Sequence, residues 1–421
     1  MLSAADNELL CRVGPGTPMG GYLRRFWTPF LESWRLEAGG SPEDVRLLGE
    51  DLVAWRDPSG KVGLMEARCP HRRAPMFYGR NEENGLRCVY HGWQFDHLGN
   101  CLEMPAEPAG STFKDKLKAV AYPVEERGGV LWAYMGPRHL QPSFPEFEWT
   151  RVREDQRITS RYRHECSWFQ SLEGDVDSSH ISYLHWDARY QKANKDVDLW
   201  VFDRAPRWTL QPTDYGMMLA ARRNTPEEGR YYWRINHFLQ PFYTMVATSL
   251  DLKRLLVHIW VPIDDETSEV WDILYATDEA IEQPERDRWL GGDTPHIASL
   301  DRATARITAD RSKRYGIDRE AQRTWSYTGI AGIRNQDLVM VEGMGAIVDR
   351  TTEHLGTSDA AVIALRRLFQ GYVRDFQEGI EPPAASEPEL FNIRSWSALL
   401  PTEEHIDRDP EAQRLQGPRV K

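Results

Sequence analysis

The stretch Cys69-Pro70-His71, followed after residues 72–87 by Cys88-Val89-Tyr90-His91, decides the fold of the first part of this chain. It supplies two thiolates and two imidazoles in two short halves, and each half can present two ligands to one metal centre. Such a set suits either a tetrahedral zinc ion or a [2Fe–2S] cluster in which histidines replace the cysteines on one iron. Zinc here would hold the fold together, whereas an iron–sulfur cluster would pass electrons.

The residues around these ligands favour the iron–sulfur interpretation. Pro70 and Pro75 lie in and after the first half, and Gly92 follows the second. Prolines and glycines make stiff, tight loops, in which backbone N–H groups can reach bridging sulfides. Zinc sites more often use C-x2–4-C and H-x3–5-H halves, which this sequence lacks.

A second candidate metal site lies further along, in the segment Asp177-x-x-His180-x-x-x-x-His185. Histidines five positions apart are separated by about 140° on a regular helix, so they can share a metal only if the turn widens or the helix ends there. Two histidines and one carboxylate form the facial triad of non-haem Fe(II) oxygenases. For an isolated pair, structural histidines on a helix are the more common case, and the preceding Cys–His set favours the metal site instead. The carboxylate could come from Asp337, from Glu342 or from a residue near the histidines, and local spacing does not select it.

Both Cys–His halves resemble the Rieske signature of the ring-hydroxylating oxygenases, in their alpha (oxygenase) subunits. The resemblance implies that Cys69 and Cys88 bind one iron of a Rieske [2Fe–2S] cluster and that His71 and His91 bind the other. It extends over nearly the whole chain and is closest to the phthalate 4,5-dioxygenase-like branch. The stretches that carry it are 46–55, 172–180 and 349–359.

The same resemblance implies a mononuclear iron site. His180 and His185 would be its histidine ligands. The family's late helix carries an Asp ligand five residues before a Glu, which selects Asp337 and leaves Glu342 a supporting or structural role.

Asp177 has a separate implied role. In this family the Asp at its place links the first iron histidine, here His180, to a Rieske histidine of a neighbouring subunit, here His91, and gives electrons a short path. Such an Asp also serves as a helix N-cap, and both roles are compatible. Many members have Asn four residues earlier, where this chain has Glu173. The branch further implies a homo-oligomer of alpha subunits, a homotrimer or a hexamer built from trimers.

Composition limits the class of protein. The chain has 421 residues, which suggests about two to three domains, and its net charge of −12 argues against nucleic acid as a partner. No segment approaches about eighteen consecutive apolar residues, and the N-terminus has no secretory signal pattern. Two of the five cysteines belong to the first site and the others are scattered, which fits a reducing compartment. We therefore expect no membrane partner and a cytoplasmic location.

The predicted fold class is α+β, of the helix-grip type. We expect a small all-β Rieske domain over residues 22–136 and a larger catalytic domain over residues 146–421, with an antiparallel sheet and helices, against which residues 1–21 pack. In the small domain, strand segments 45–55 and 62–65 flank the turn Asp57-Pro58-Ser59-Gly60. The larger domain contains strand-like runs at 231–238, 255–261 and 270–276 and helical stretches at 336–349 and 358–374.

The resemblance implies a terminal oxygenase of a multicomponent system, which uses O2 to hydroxylate a small aromatic compound. No dinucleotide fingerprint appears, and the glycine-containing segment 14–20 follows no strand, so NAD(P)H acts only through a separate flavin and iron–sulfur reductase or a ferredoxin. An aromatic carboxylate, dihydroxylated as phthalate is, would need a partly buried bidentate arginine. The candidate substrate contacts are Ser179, Arg207 and Arg234. Aromatic O-demethylation or diaryl ether cleavage is the alternative, because it uses the same ligands.

Two interpretations from other classes stay open. A zinc-stabilised binding module would contain zinc and no iron. A cluster-bearing electron carrier would hold only the two Rieske irons and would tolerate His185→Ala.

Overall fold

The fold is known from a computed structural model, which describes residues 2–193, 196–292, 294, 296, 300–403 and 406. The chain divides into two compact units, one of residues 13–144 and one of residues 1–12 with 145–421. Helix α1 (Ala4–Cys11) belongs to the larger unit and helix α2 (Pro18–Leu23) to the smaller one. Residues 13–21 thus join the smaller unit, contrary to the predicted packing of 1–21 with the larger domain. Arg24 donates to the carbonyl oxygens of Val13 (3.1 Å) and Leu48 (2.7 Å), which fixes this segment.

The smaller unit consists of short antiparallel strands. They are β1 (Trp27–Glu32), β2 (Glu43–Leu47), β3 (Glu50–Arg56), β4 (Val62–Glu66), β5 (Arg80–Glu82), β6 (Gly85–Arg87), β7 (Gln94–Phe95), β8 (Cys101–Glu103), β9 (Val124–Arg127) and β10 (Val130–Tyr134). Their sheets have the orders β1-β10-β9, β2-β3-β4 and β5-β6-β7-β8. This is the predicted small all-β domain.

Two tight turns shape the sheet of β2, β3 and β4. The predicted turn after β3 is confirmed: Oδ1 of Asp57 accepts from the N–H groups of Ser59 (2.9 Å) and Lys61 (3.0 Å). The segment 45–55 is not one strand, because Leu48 and Gly49 have φ angles of 48° and 79°. Two consecutive residues with positive φ are the signature of a two-residue hairpin turn, so this run folds back on itself.

The larger unit is built on a twisted antiparallel sheet. The strands of this unit are β11 (Arg157–His164), β12 (Arg207–Thr213), β13 (Gly216–Asn224), β14 (Arg230–Leu239), β15 (Tyr243–Val246), β16 (Leu255–Pro262), β17 (Ser268–Tyr275), β18 (Leu300–Asp301), β19 (Arg306–Ile307) and β20 (Trp396–Pro401). Strands β18 and β19 pair with each other in a separate two-stranded sheet. The main sheet has the order β11-β17-β16-β15-β14-β13-β12, and β20 pairs with β14. The three predicted strand runs fall on β14, β16 and β17.

Helices flank this sheet. They are α3 (Glu148–Arg151), α4 (Trp168–Val176), α5 (Ala188–Ala193), α6 (Asp196–Phe202), α7 (Gln283–Gly291), α8 (Arg319–Thr324), α9 (Ile333–Gly343), α10 (Ala360–Gln377) and α11 (Pro383–Ser386). The predicted helix 358–374 is α10, whereas the one predicted at 336–349 begins earlier and ends at Gly343. Gly345 lies just beyond it with a φ of 96°. Among the described residues, none of the helices is long and apolar enough to cross a membrane.

Helix α4 carries the chain to the second candidate site, and α10 holds α4 in place. The ring of Phe369 meets Trp168 and Phe169 edge to face, with centroids 5.5 and 5.3 Å apart. Phe369 is buried with Ala361 and Leu365 on one face of α10, as the helical spacing predicts. Sheet and helices together confirm the predicted α+β class.

Candidate metal centres

The two Cys–His halves form loops of the same hydrogen-bonded shape. In each loop, the N–H of Cys69 or Cys88 donates to the carbonyl five residues later, at 2.8 Å. The cysteine's own carbonyl accepts from the N–H four residues later, at 2.9 Å. That fourth residue has a left-handed backbone in both loops, with φ of 58° at Arg73 and 78° at Gly92. The second half therefore uses glycine where the loop geometry favours it.

These loops bring the four predicted cluster ligands together. The thiols of Cys69 and Cys88 are side by side in the core of the smaller unit, and burial, then the neighbouring thiol, raises the pKa of Cys69 to about 11. The rings of His71 and His91 lie 4.5 Å apart. Trp93 stacks on His71 at 4.3 Å with an interplanar angle of 11°.

The chemistry of this donor set fits a cationic cluster. A buried thiol with a raised pKa, such as that of Cys69, becomes a thiolate only when a metal displaces its proton. Partial desolvation and then the neighbouring His71 lower the pKa of His91, which favours the neutral imidazole that a metal needs.

The second candidate site begins where α4 ends. The helix stops at Val176, and a 3₁₀ turn over His180–Ser182 follows. This break lets the two histidines converge, as their five-residue spacing requires. Nε2 of His180 lies 3.1 Å from Nε2 of His185. Oδ1 of Asp337, on α9, lies 3.2 Å from Nε2 of His185 and 3.7 Å from Nε2 of His180.

Hydrogen bonds outside this group orient its two imidazoles. Nδ1 of His185 lies 2.9 Å from Oε1 of Gln336, so Nδ1 carries the proton and Nε2 keeps its lone pair. Nδ1 of His180 likewise faces Oδ2 of Asp177 at 3.5 Å. Two imidazole nitrogens and one carboxylate oxygen thus converge on one point, and their chemistry fits a divalent iron.

The ionisation state of Asp337 agrees with the assignment of this group as an iron site. Burial would raise the pKa of Asp337, but His185, Arg334 and His180 hold it well below its usual range, so the carboxylate is ionised. Burial opposes protonation of His180, but Asp177 and Asp337 raise its pKa overall, so a metal bound here would have to displace a proton from this ring.

Glu342, the other carboxylate candidate, lies elsewhere. Its Oε1 accepts from the backbone N–H of Glu165 at 2.8 Å, and its Oε2 from the hydroxyl of Tyr315 at 2.6 Å. These bonds give it a structural role, because it ties α9 to two neighbouring segments.

A cavity of about 370 Å³ adjoins the triad. Its wall is largely apolar, and it includes His180, His185 and Asp337. That volume lies within the range of small-molecule sites. The structure therefore supplies a mostly apolar cavity beside the candidate metal ligands.

Of the three predicted substrate contacts, only Arg234 lines this cavity within the described part of the chain. Arg234 is buried, and its Nε donates to the carbonyl oxygen of Ala247 at 3.2 Å. Arg207 is exposed at the start of β12, the edge strand of the main sheet, which points to no role in the cavity. The backbone N–H of Ser179 donates to Oδ1 of Asp177 at 2.6 Å, so Ser179 supports the loop.

The sequence did not reveal a second group of buried polar residues. His258 on β16 and Asp272 on β17 lie opposite each other in the sheet register, and Arg334 on α9 contacts both. A signal was present, because His258 is the lone histidine of the apolar run 255–261 and Asp272 is the lone charged residue of the apolar run 270–276.

Comparison with known proteins finds a matching family model for each of the two units. A Rieske [2Fe–2S] domain model matches residues 26–121, and a model described as LigXa C-terminal domain like matches residues 133–415. The chain is 36% identical to the 3-chlorobenzoate-3,4-dioxygenase oxygenase subunit of Comamonas testosteroni, over 99% of each chain. It is 39% identical to the phthalate 4,5-dioxygenase oxygenase subunit of Pseudomonas putida, over 95% of this chain and 93% of that one. The 5,5'-dehydrodivanillate O-demethylase oxygenase subunit of Sphingobium sp. is 34% identical, over 93% and 85%.

A solved structure shares the fold. The NdmA QL mutant of Pseudomonas putida CBB5, determined with caffeine, superimposes with a TM-score of 0.61 at 19% identity. The match covers 87% of this chain and 95% of that one.

The chain combines a Cys–His cluster domain with a second unit, in which helices flank an antiparallel sheet and two histidines and one carboxylate converge. This is the arrangement of a two-domain iron oxygenase. The chain belongs to the Rieske non-haem iron oxygenases, as an oxygenase (alpha) subunit. Its cofactors are therefore a Rieske [2Fe–2S] cluster and a mononuclear iron, with O2 as co-substrate, and its electrons come from a separate reductase or ferredoxin. This answers the choice between zinc and iron–sulfur that the ligand set alone left open.

Proposed function

We propose that this oxygenase hydroxylates an aromatic carboxylate, in the manner of phthalate dihydroxylation. The observation that carries the proposal is the guanidinium of Arg234, which is buried in the wall of an apolar cavity beside His180 and His185. A buried guanidinium binds a carboxylate more strongly than any neutral donor does. The substrates named in two relatives, 3-chlorobenzoate and phthalate, are aromatic carboxylates.

We also propose the residues that hold the cofactors. Cys69, His71, Cys88 and His91 would bind the cluster, and His180, His185 and Asp337 would bind the mononuclear iron. When bound, these groups supply single electrons and the activation of O2. The protein's own contribution is to place the ring. Trp200, Trp260 and Arg234 line the cavity. The two indoles would pack against the ring and exclude water, and Arg234 would fix the orientation of the acid group.

O-demethylation of an aromatic ether is the second candidate. It is favoured by the 34% identity to a dehydrodivanillate O-demethylase subunit. Cleavage of a diaryl ether belongs to the same alternative, because a relative 30% identical is named a phenoxybenzoate dioxygenase. The same cavity accommodates either class.

The oligomer and the electron path are part of the proposal. We propose a homotrimer, or a hexamer built from trimers, in which Asp177 hydrogen-bonds His180 of its own subunit and His91 of the next. The support within the chain is the 3.5 Å contact between Asp177 and Nδ1 of His180, together with the surface position of His71 and His91. The cytoplasmic location also stays a prediction, supported by five cysteines, all within the described residues, of which none forms a disulfide.

Metal analysis tests the cofactor assignment. Protein purified without oxygen is expected to contain about three irons per chain, two in the cluster and one mononuclear. Cys88→Ser is expected to abolish the Rieske EPR signal. Cys101→Ser is the matched control, because Cys101 is buried in the same core without belonging to the loops. A Rieske signal that survives in the Cys88 variant would show that the ligands are assigned wrongly.

Product analysis tests the substrate class. The oxygenase is combined with a generic reductase and offered a panel of benzoates, phthalates and methoxy-aromatics. Ring diols from the carboxylates are expected. Formaldehyde released from methoxy-aromatics, without diols, would favour the O-demethylase alternative.

A further inference from the structure

Arg334 occupies the centre of the buried polar group behind the candidate iron site. Its side chain is only 5% exposed. Nη1 donates to Oδ2 of Asp337 at 3.1 Å, Nε lies 3.3 Å from Oδ2 of Asp272, and Nη2 donates to Nε2 of His258. One planar guanidinium therefore meets three partners on different sides, which a lysine ammonium cannot do with the same geometry.

We propose that Arg334 is the positioning residue that presents Asp337 to the mononuclear iron through Oδ1 alone. The proposal rests on Asp337 being the carboxylate ligand. Oδ2 is engaged by the guanidinium, whereas Oδ1 is the oxygen that faces Nε2 of His185 at 3.2 Å. A carboxylate held in this way leaves more positions at the metal for O2 and substrate than one that uses both oxygens.

The local geometry makes this arrangement rigid. Arg334 and Asp337 lie one turn apart on α9, at the i, i+3 spacing that brings side chains together on a helix. The guanidinium is itself fixed from the sheet, because His258 and Asp272 are direct partners in the register of β16 and β17. The hydroxyl of Tyr162 donates to Oδ2 of Asp272 at 3.1 Å and holds that carboxylate in turn.

A second link ties the same group to α4. Nδ1 of His258 donates to Oδ2 of Asp175 at 2.9 Å, which leaves Nε2 of His258 to accept from Arg334. Asp175 also accepts from Nε1 of Trp260 at 3.1 Å and from the hydroxyl of Thr244. Asp175 precedes His180 by five residues, so the segment that bears the histidines and the helix that bears Asp337 are joined through Arg334.

The charges explain why an arginine is needed here. Asp175, Asp272 and Asp337 are buried or nearly so, and Arg334 is the cation that contacts two of them. His258, Asp272 and His296 are close enough to hold a metal of their own. The guanidinium already lies against two of these three residues, so it takes the place that such a cation would need. The structure thus favours a single metal ion, bound by His180, His185 and Asp337. Arg334 supplies a fixed positive charge next to that site.

The test measures how tightly and in what geometry the mononuclear iron is bound. Chains that keep the Rieske cluster are depleted of mononuclear iron and titrated with Fe(II) without oxygen, and the EPR spectrum of the Fe(II)–nitric oxide adduct is recorded. Arg334→Lys keeps the charge and removes the planar fork. We expect the dissociation constant for Fe(II) to rise about 10- to 100-fold and the nitrosyl spectrum to change its rhombicity.

Two further variants guard against a folding defect. His258→Asn keeps a donor toward Asp175 and removes the acceptor for Arg334, and we expect a smaller change in the same direction. Arg161→Lys is the matched control, because Arg161 is a buried arginine on β11 of the main sheet whose Nη1 donates to Glu269 at 2.7 Å. It is expected to leave both Fe(II) readouts unchanged.

Asp337→Asn separates this inference from the ligand assignment. If Asp337→Asn weakens Fe(II) binding and Arg334→Lys leaves the affinity and the nitrosyl spectrum as in the wild type, Arg334 does not position the ligand and the inference is overturned alone. If Asp337→Asn has no effect either, the assignment of Asp337 fails, and the inference fails with it.

Discussion

Asp177 and His180 are held together twice, through the backbone and through the side chains. Oδ2 of Asp177 accepts from the backbone N–H of His180 at 3.3 Å and lies 3.5 Å from Nδ1 of its ring. Burial would raise the pKa of Asp177, but His180 lowers it, so the carboxylate is ionised next to the imidazole. Asp177 therefore accepts from backbone N–H groups of the turn and lies beside Nδ1 of His180, and we expect it to keep the proton of His180 on that nitrogen.

Asp177→Asn is expected to slow electron transfer from the cluster to the mononuclear iron by about 10- to 100-fold, because an amide cannot replace the charged acceptor. Iron content should stay the same, since His180, His185 and Asp337 are untouched. The measurement is the rate at which the reduced cluster is reoxidised after O2 and substrate are added. Asp310→Asn, an exposed Asp that caps a turn, is the control. Equal rates in the Asp177 variant and the wild type would argue against the bridge.

Arg234→Gln is expected to raise KM for aromatic carboxylates by about 10- to 100-fold, the equivalent of one charged hydrogen-bonded contact. Methoxy-aromatics without an acid group should show little change in KM. Arg207→Gln provides the comparison, because Arg207 is exposed on the edge strand. A rise in KM in the Arg207 variant and not in the Arg234 variant would place the acid group outside the cavity.

Glu173→Gln is expected to lower the free energy of unfolding of the larger unit by about 3–5 kcal/mol. Oε2 of Glu173 accepts from Nη2 of Arg350 and its Oε1 from Nε of Arg366, both at 2.6 Å, so the change leaves two buried guanidinium groups poorly compensated. Urea unfolding followed by circular dichroism measures the loss. The exposed Glu320→Gln should change stability by at most about 0.5 kcal/mol. A loss that small at Glu173 would mean that the buried ion pairs contribute little.

His164 is expected to make the larger unit less stable as the pH falls. Burial, followed by the charge of Arg334, lowers the pKa of His164 to about 3. The unfolded chain, with a pKa of about 6.5 for this group, takes up the proton first. The stability contributed by neutral His164 is thus fully present above pH 6.5 and declines by about 1.4 kcal/mol per pH unit down to pH 3.

Urea unfolding of the wild type and of His164→Asn at about pH 7 and about pH 5 isolates this effect, because the carboxylates contribute equally to both proteins. The wild type should lose about 2 kcal/mol more than the variant over that interval. Parallel losses in the two proteins would show that His164 is not the group responsible.

The sequence predicted those parts of the fold and site whose metal ligands or hydrogen-bonding groups lie close together in the chain. Each Cys–His half puts two ligands within three or four residues, and His180 and His185 are only five residues apart. The turn at 57–60 is predictable for the same reason, since its hydrogen bonds are local. Asp337 is distant, and only the family resemblance selects it.

The parts that escaped prediction depend on strand pairing. His258 and Asp272 meet because β16 and β17 align in one register, and a slip of either strand by one residue would turn its side chain to the other face of the sheet. Arg334 joins them from a helix some sixty residues further on. The predicted end of that helix at residue 349 is wrong because Gly343, Met344 and Gly345 end it first.

The contact between helix α1 and Arg350 determines when this helix can pack while the chain is being synthesised. Nη1 of Arg350 donates to Oδ1 of Asn7 at 2.8 Å, across 343 residues of sequence. At roughly 5–20 residues per second, a ribosome needs about 20–70 s to deliver the partner. Residues 13–144 emerge as one continuous segment within that interval and can build their own core. Helix α1 is therefore made long before its partner and packs late, and until then it is accessible to a chaperone or a protease.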